Sequence, residues 1–148
     1  MKLMLDTNIC IAIIKRKPVK AIEQFKAHQV GDIGISSVTL AELRYGVAKS
    51  QHRAKNQAAL EEFLLPLEIA PFDDAATLAY GELRADLEKK GKPIGPLDMM
   101  IAAHALSLGV TLVTNNLREF FRVDGLSVVN WIADVERGLE LLEKAKGN

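Results

Sequence analysis

The chain has 148 residues, 49% of them hydrophobic, which suits one compact domain with a sizeable core. Nineteen basic residues balance nineteen acidic ones, so no global field directs the chain to nucleic acid or to a membrane surface. One cysteine excludes an internal disulfide, the first residues lack a signal-like segment, and no apolar run approaches the roughly 20 residues that cross a bilayer. We therefore expect a cytoplasmic protein with no membrane partner.

Short apolar runs alternate with helical patterns along the chain. The first run, 2–5, stops at Asp6-Thr7-Asn8 and gives way to an apolar helical stripe, which predicts a strand, a turn and a helix. Further strands are predicted at 33–36, 67–70, 110–114 and 126–131. This alternation favours an α/β fold with a mainly parallel sheet of about five strands, covered by helices on both faces.

Helical patterns fill the segments between the predicted strands. They start at Pro18, cover 40–48 and 52–65, and then run from Asp73 to about 90 and from 97 to Gly109. Ser37 or its neighbour is expected to cap the helix over 40–48. We divide the chain into a domain over 1–132 and a helical extension over 133–148. The sequence leaves open whether that extension packs on the domain, aids dimerisation or is poorly ordered.

Four polar residues are predicted to lie at the edge of the sheet where parallel strands end. Asp6 follows the first strand, Glu42 lies in the helix after the second, Asp98 begins a helix, and Asn116 follows the fourth strand. Ligands bind in open parallel sheets at this edge, so these side chains are expected to meet. Taken singly, an Asp at a helix start is more often a cap, and a Glu within a helix is more often solvated.

Three carboxylates that meet in a partly dry cleft stay ionised together only beside a cation. Oxygen ligands without a His/Cys cluster favour Mg²⁺, or Mn²⁺, over Zn²⁺. A metal held in this way can activate water for attack on phosphorus and stabilise the leaving oxygen. The predicted chemistry is hydrolysis of a phosphodiester.

Four ordered blocks carry a family resemblance: LMLDTNI (3–9), ISSVTLAELRYG (35–46), IGPLDMMIAAH (94–104) and VTNNLREF (113–120). Across about residues 2–131 the chain resembles PIN-domain ribonucleases, specifically the VapC toxins of bacterial type II toxin–antitoxin modules. The resemblance implies a three-layer α/β/α sandwich and a metal-dependent endoribonuclease. It makes Asp6 and Asp98 the direct ligands of Mg²⁺ or Mn²⁺, with Glu42 holding the metal or its water. Residues expected to orient these groups by hydrogen bonds are Asn8, Thr114 and Ser37.

The chain departs from the family pattern at Asn116, where many PIN domains have a fourth Asp. Glu119 supplies the missing charge if a helical turn forms there, and the alternative is a surface ion pair with Arg118 or Arg122. A site with one metal ion in the resting state is therefore our expectation.

The resemblance also implies partners. They are a structured RNA substrate such as tRNA, and a VapB-like antitoxin whose C-terminal segment crosses the toxin groove. Homodimers are expected, and so are toxin–antitoxin complexes that contact operator DNA through the antitoxin.

Two other readings use the same sheet edge. One is a DNA flap nuclease or an aspartyl phosphatase, although Asp-Thr-Asn departs from the Asp-x-Asp of such phosphatases. The other is an inactive binding module, which three like charges argue against because they cost stability. His104 fits a core histidine better than a general base, and Cys10 fits a buried apolar residue better than a nucleophile.

Overall fold

A computed structural model describes residues 1–132, and the predicted extension, 133–148, lies outside the described residues. The strands are β1 (Leu3–Leu5), β2 (Ile33–Ser36), β3 (Glu68–Ala70), β4 (Thr111–Val113) and β5 (Val128–Val129). The helices are α1 (Thr7–Ile14), α2 (Val19–Ala27), α3 (Ser37–Lys49), α4 (Arg53–Leu64), α5 (Asp74–Lys89), α6 (Pro96–Leu108) and α7 (Leu117–Phe120).

The strands form one sheet in the order β3-β2-β1-β4-β5, and every neighbouring pair is parallel. β1 is central, and its Leu3 is in register with Ile33 of β2 and Thr111 of β4. The predicted five-stranded parallel sheet is confirmed. Because all strands point the same way, the residues that follow β1, β2 and β4 lie at one edge.

Alternating residues of the strands face two separate cores, which gives the three layers. Met4 and Leu112 point into a core that also contains residues of α5 and α6. Leu5 and Val113 point to the opposite face, into a core that contains residues of α1, α2 and α4. Cys10 is fully buried in this second core, as predicted.

Local capping explains where several helices begin and end. Asp6, Ser36 and Asp73 each accept a backbone N–H of the helix that follows, so Ser36 rather than Ser37 caps α3. Gly109 ends α6 in the left-handed region at φ 65°, where glycine has no Cβ to clash.

One strand is shorter than the sequence pattern indicates. Only Val128–Val129 of the predicted strand 126–131 pairs with β4. The Asn130 side chain accepts the Ile132 backbone N–H at 2.7 Å, and this local turn ends the strand. Within residues 1–132, none of the helices combines the length and apolar character of a bilayer-spanning segment.

Candidate active site

Asp6 lies at the centre of the sheet edge, between the end of β1 and the start of α1. Its backbone N–H donates to the Val113 carbonyl, and its Oδ1 accepts the Ile9 N–H at 2.9 Å. Burial raises the pKa of Asp6, and the charge of Glu42 acts in the same direction, whereas hydrogen bonds from Thr114 and Ile9 oppose the shift. Asp6 is therefore a buried carboxyl within the field of a second acid.

Glu42 reaches the same edge from α3. It lies on the second turn of this helix, half-buried, and its Oε1 accepts the Thr7 hydroxyl proton at 2.7 Å. Thr7 directly follows Asp6, so this hydrogen bond connects α3 to the first turn of α1. Glu42 is thereby held beside the Asp6 turn.

Asp98 enters from the first turn of α6. Pro96 occupies the first position of the helix, where the missing N–H costs nothing, and Asp98 follows in the positive field of the helix start. Burial raises the pKa of Asp98 to about 7, and the charges of Glu119, Asp6 and Glu42 contribute to the shift. Asp98 therefore shares one electrostatic environment with the other acids.

Asn116 and Glu119 are joined through α7. Asn116 directly precedes this short helix, and its side-chain amide donates to Glu119 Oε2. The other Glu119 oxygen accepts the Gly95 backbone N–H at 2.8 Å, which turns the carboxylate toward Asp98. Glu119 is thus a fourth acidic group at the site, while the Arg122 guanidinium donates to the Pro93 carbonyl at 2.9 Å.

Comparison with known proteins identifies the family to which this arrangement belongs. A family model described as the PIN domain matches residues 3–126. The chain belongs to the PIN-domain family. The resemblance found in the four sequence blocks is confirmed over most of the chain.

Individual relatives narrow the family to VapC ribonucleases. The chain is 50% identical over 131 residues to the tRNA(fMet)-specific endonuclease VapC of Shigella flexneri, covering 88% of this chain and 98% of that protein. It is 46% identical over 132 residues to the ribonuclease VapC2 of Haemophilus influenzae, and this match covers 89% of this chain and 99% of that protein. The crystal structure of VapBC2 from Rickettsia felis, bound to a DNA fragment from its promoter, contains a chain whose fold matches this one with a TM-score of 0.84. That chain is 45% identical, and the match covers 88% of this chain and 99% of the other.

Ribonucleases with a PIN domain generally depend on divalent metal ions, and the donor chemistry of this site fits such an ion. The acidic groups offer only oxygen ligands, and the charges of Glu119, Asp6 and Glu42 add to burial in raising the pKa of Asp98. Across residues 1–132, however, no three His, Cys, Asp or Glu side chains are close enough to bind one ion directly. Several acid oxygens instead accept protein hydrogen bonds. This spacing suits a hydrated ion that contacts one or two carboxylates and reaches the others through water.

Three residues were expected to orient the acids, and their positions differ. Thr114 is fully buried, its hydroxyl is hydrogen-bonded to Asp6, and it also accepts the Asn116 backbone N–H at 2.9 Å. Ser37 instead accepts the Phe72 backbone N–H at 2.9 Å, so its hydrogen bond joins α3 to the loop after β3. The Asn8 side chain is exposed on α1.

Sequence reasoning missed two groups that contact the acids. Thr7 binds Glu42 through its hydroxyl, and Gly95 binds Glu119 through its backbone N–H. The Asp-Thr-Asn triplet carried a signal for Thr7, because successive side chains on a helix point about 100° apart, so that Thr7 and Asn8 face different sides. No signal was available for Gly95, since a backbone donor is present at every residue except proline.

Proposed function

We propose that this chain is the toxin of a type II toxin–antitoxin module, an endoribonuclease that cleaves structured RNA with Mg²⁺, or with Mn²⁺ in its place. The observation that supports it best is the electrostatic coupling of Asp98 to Asp6, Glu42 and Glu119 at the carboxyl edge of the sheet. A site that accumulates this much negative charge is suited to a divalent cation and, through it, to phosphate.

Asp6 and Asp98 are the proposed direct ligands because they enter from opposite sides of the site and are the two acids whose pKa values are raised. Glu42, held by Thr7, would position the ion or its water, and Thr114 would fix the Asp6 carboxylate. When bound, the ion supplies an activated water and stabilises charge on the leaving oxygen. Glu119, oriented by Asn116, is the proposed fourth acid.

The proposed substrate is initiator tRNA, acted on in the cytoplasm. This choice comes from relatives at 50% and 47% identity that are named tRNA(fMet)-specific endonucleases. Cleavage of initiator tRNA would stop translation and growth until the toxin is neutralised.

Neutralisation is assigned to a VapB-like antitoxin. The chain resembles toxin chains of VapBC complexes, two of which are described as bound to DNA. A groove of about 370 Å³ between α1, α3 and α4 offers a place for an apolar segment, and Glu42 lies on its wall. The groove is lined by apolar side chains, among them Ile11, Leu43, Val47 and Leu60. A basic side chain of the same antitoxin segment would reach the acids of the site.

The antitoxin would also provide the contacts with operator DNA. We propose that the toxin itself forms a homodimer.

The test compares wild type with Asp6→Asn and Asp98→Asn on an initiator tRNA transcript. Asn keeps the N-cap acceptor of α1 at position 6, so Asp6→Asn removes the charge while preserving the cap. We expect Mg²⁺-dependent cleavage by wild type, none with a chelator, and a loss of about a hundredfold or more in each variant, equal to a few kcal/mol of transition-state stabilisation. Asp74→Asn, an exposed acid at the start of α5, is the matched control and should keep full activity.

Full activity of Asp6→Asn or Asp98→Asn would overturn the proposal. Cleavage of flap DNA or a chromogenic phosphate ester in preference to RNA would assign the alternative enzymes instead. If the chain binds RNA but does not cleave it with any divalent cation, it is the inactive binding module instead.

A further inference from the structure

His104 makes a buried hydrogen bond from α6, the helix that carries Asp98, to the residue that caps α3, the helix that carries Glu42. Its ring lies fully buried on α6, and Nδ1 is 2.8 Å from the Ser36 hydroxyl oxygen at the end of β2. The same Ser36 oxygen accepts the Val38 N–H as the N-cap of α3. The imidazole therefore contacts the group that starts the Glu42 helix.

The rest of the ring is enclosed by the loop after β3. The Phe72 ring meets the imidazole edge-on, with ring centroids 5.4 Å apart, and the Phe72 backbone N–H donates to Ser37. Nε2 is buried without a hydrogen bond of standard geometry to any described residue, although the Pro71 carbonyl interacts with the ring. Burial lowers the pKa of His104 despite opposing contributions from Asp73 and Pro71, so the ring is neutral at pH 7. Within residues 1–132, the contact with Ser36 is the hydrogen bond of standard geometry that the ring makes.

The positions of both partners relative to the acids are equivalent. His104 follows Asp98 by six residues on α6, and Ser36, the N-cap residue just before α3, precedes Glu42 by six residues, so each lies about 9 Å along the helix axis from its acid. The hydrogen bond between these two points holds α6 against the start of α3. A change in the separation of the two helices would be carried to the carboxylates because a helix moves as a rigid unit.

We infer that His104 is a positioning residue, which sets the distance between Asp98 and Glu42 through its hydrogen bond to Ser36. This inference rests on the proposed function, because it assigns His104 a role in divalent cation affinity. It gives the buried histidine a purpose beyond packing. A core histidine that only fills space would affect stability and leave the geometry of the acids unchanged.

The test measures Mn²⁺ affinity by calorimetry without RNA. His104→Leu removes the hydrogen bond, and we expect Mn²⁺ to bind about tenfold more weakly. His104→Asn keeps a polar δ atom at the Nδ1 position and should restore most of that affinity. Ser36→Gly deletes the partner while remaining acceptable as an N-cap, so it should reproduce His104→Leu and serves as the second variant if that one does not fold.

Phe63→Leu, in the core on the opposite face of the sheet, is the matched stability control. It should lower the melting temperature and leave Mn²⁺ affinity unchanged. The inference is overturned if His104→Leu and Ser36→Gly bind Mn²⁺ as wild type does, or if His104→Asn is as weak as His104→Leu. Failure of the proposed function would give a different result from failure of this inference. In that case wild type itself would not bind Mn²⁺, or Asp98→Asn would bind Mn²⁺ as well as wild type does.

Discussion

At neutral pH, ionisation of Asp98 is opposed by burial and by the charges of three other acids. Its pKa is about 7 in the folded chain, against an ordinary value of 3.8. The folded state therefore binds more protons than the unfolded state between these two values. The contribution of Asp98 to metal-free stability falls as pH rises through this window and is lowest above pH 7.

Asp98→Asn should consequently stabilise the metal-free protein while it abolishes cleavage. We expect its melting temperature in chelator to exceed that of wild type at about pH 8 and to approach it at about pH 4, where Asp98 is largely protonated. Thermal unfolding at both pH values measures the effect, with Asp74→Asn as the charge-matched control. If Asp98→Asn raised the melting temperature equally at both pH values, the assignment of the raised pKa to Asp98 would be contradicted.

Thr7→Val tests whether the Thr7 hydroxyl orients Glu42. The substitution removes a hydrogen bond of 2.7 Å at a half-buried position, which should lower the free energy of unfolding by about 1 kcal/mol. Divalent cation affinity should fall about tenfold, because Glu42 loses its fixed orientation. Calorimetric titration with Mn²⁺ measures this, and Thr7→Ser should behave as wild type. Unchanged affinity in Thr7→Val would remove Thr7 from the site.

The individual acids were predictable, whereas their hydrogen-bond partners were less so. Asp6 and Asp98 stand at a strand end and a helix start, and those positions follow from the order of elements alone. Which neighbour binds an acid depends on side-chain direction within one turn, so the prediction selected Asn8 where the structure uses Thr7. Side-chain direction likewise gives Ser37 its observed partner, the Phe72 backbone N–H in the loop after β3.

At the scale of elements, α7 determines how the site is completed after β4. Its single turn places Glu119 three residues after Asn116, so that the Asn116 amide donates to the Glu119 carboxylate. Asn116→Asp would replace this donor with a like charge. We expect the free energy of unfolding in chelator to fall by about 1 to 2 kcal/mol, because the Glu119 oxygen loses its donor.

The Asn116→Asp/Glu119→Gln double variant supplies the control for this prediction. It exchanges the acid and amide positions, so the hydrogen bond is restored with reversed direction and most of the lost stability should return. Urea unfolding of the single and double variants measures the recovery. If the double variant is no more stable than Asn116→Asp alone, the two side chains are not coupled.

The order and type of the main elements were predictable because their apolar periodicities are strong. The α7 helix has only four residues, too few for a periodic pattern. From the sequence, a helical turn there was therefore named only as the requirement for Glu119 to join the site. β5 was overextended because the run 126–131 is apolar enough for a strand, while the turn at Asn130 depends on one side-chain hydrogen bond. Such local polar contacts compete with strand pairing without altering the apolar pattern.

At the scale of the whole molecule, folding itself concentrates negative charge. Two cores on opposite faces of the sheet fix five parallel strands, and the strand order places β1 between β2 and β4. The acids at the carboxyl edge of these strands are then held together without a neutralising residue of opposite charge among the contacts described. Apolar burial supplies the free energy that offsets this repulsion.

A bound divalent cation should therefore stabilise the whole fold, and more strongly at higher pH. Because the pKa of Asp98 is about 7, protons compete with the ion below that value, so the rise in melting temperature with Mg²⁺ should be large at about pH 8 and small at about pH 5. At a hundredfold excess over Kd, the gain amounts to about 2.7 kcal/mol. Calorimetric unfolding with MgCl₂, against NaCl at matched ionic strength, measures it. Asp98→Asn should show a much smaller rise at both pH values, and a rise independent of pH in wild type would mean that the ion binds away from Asp98.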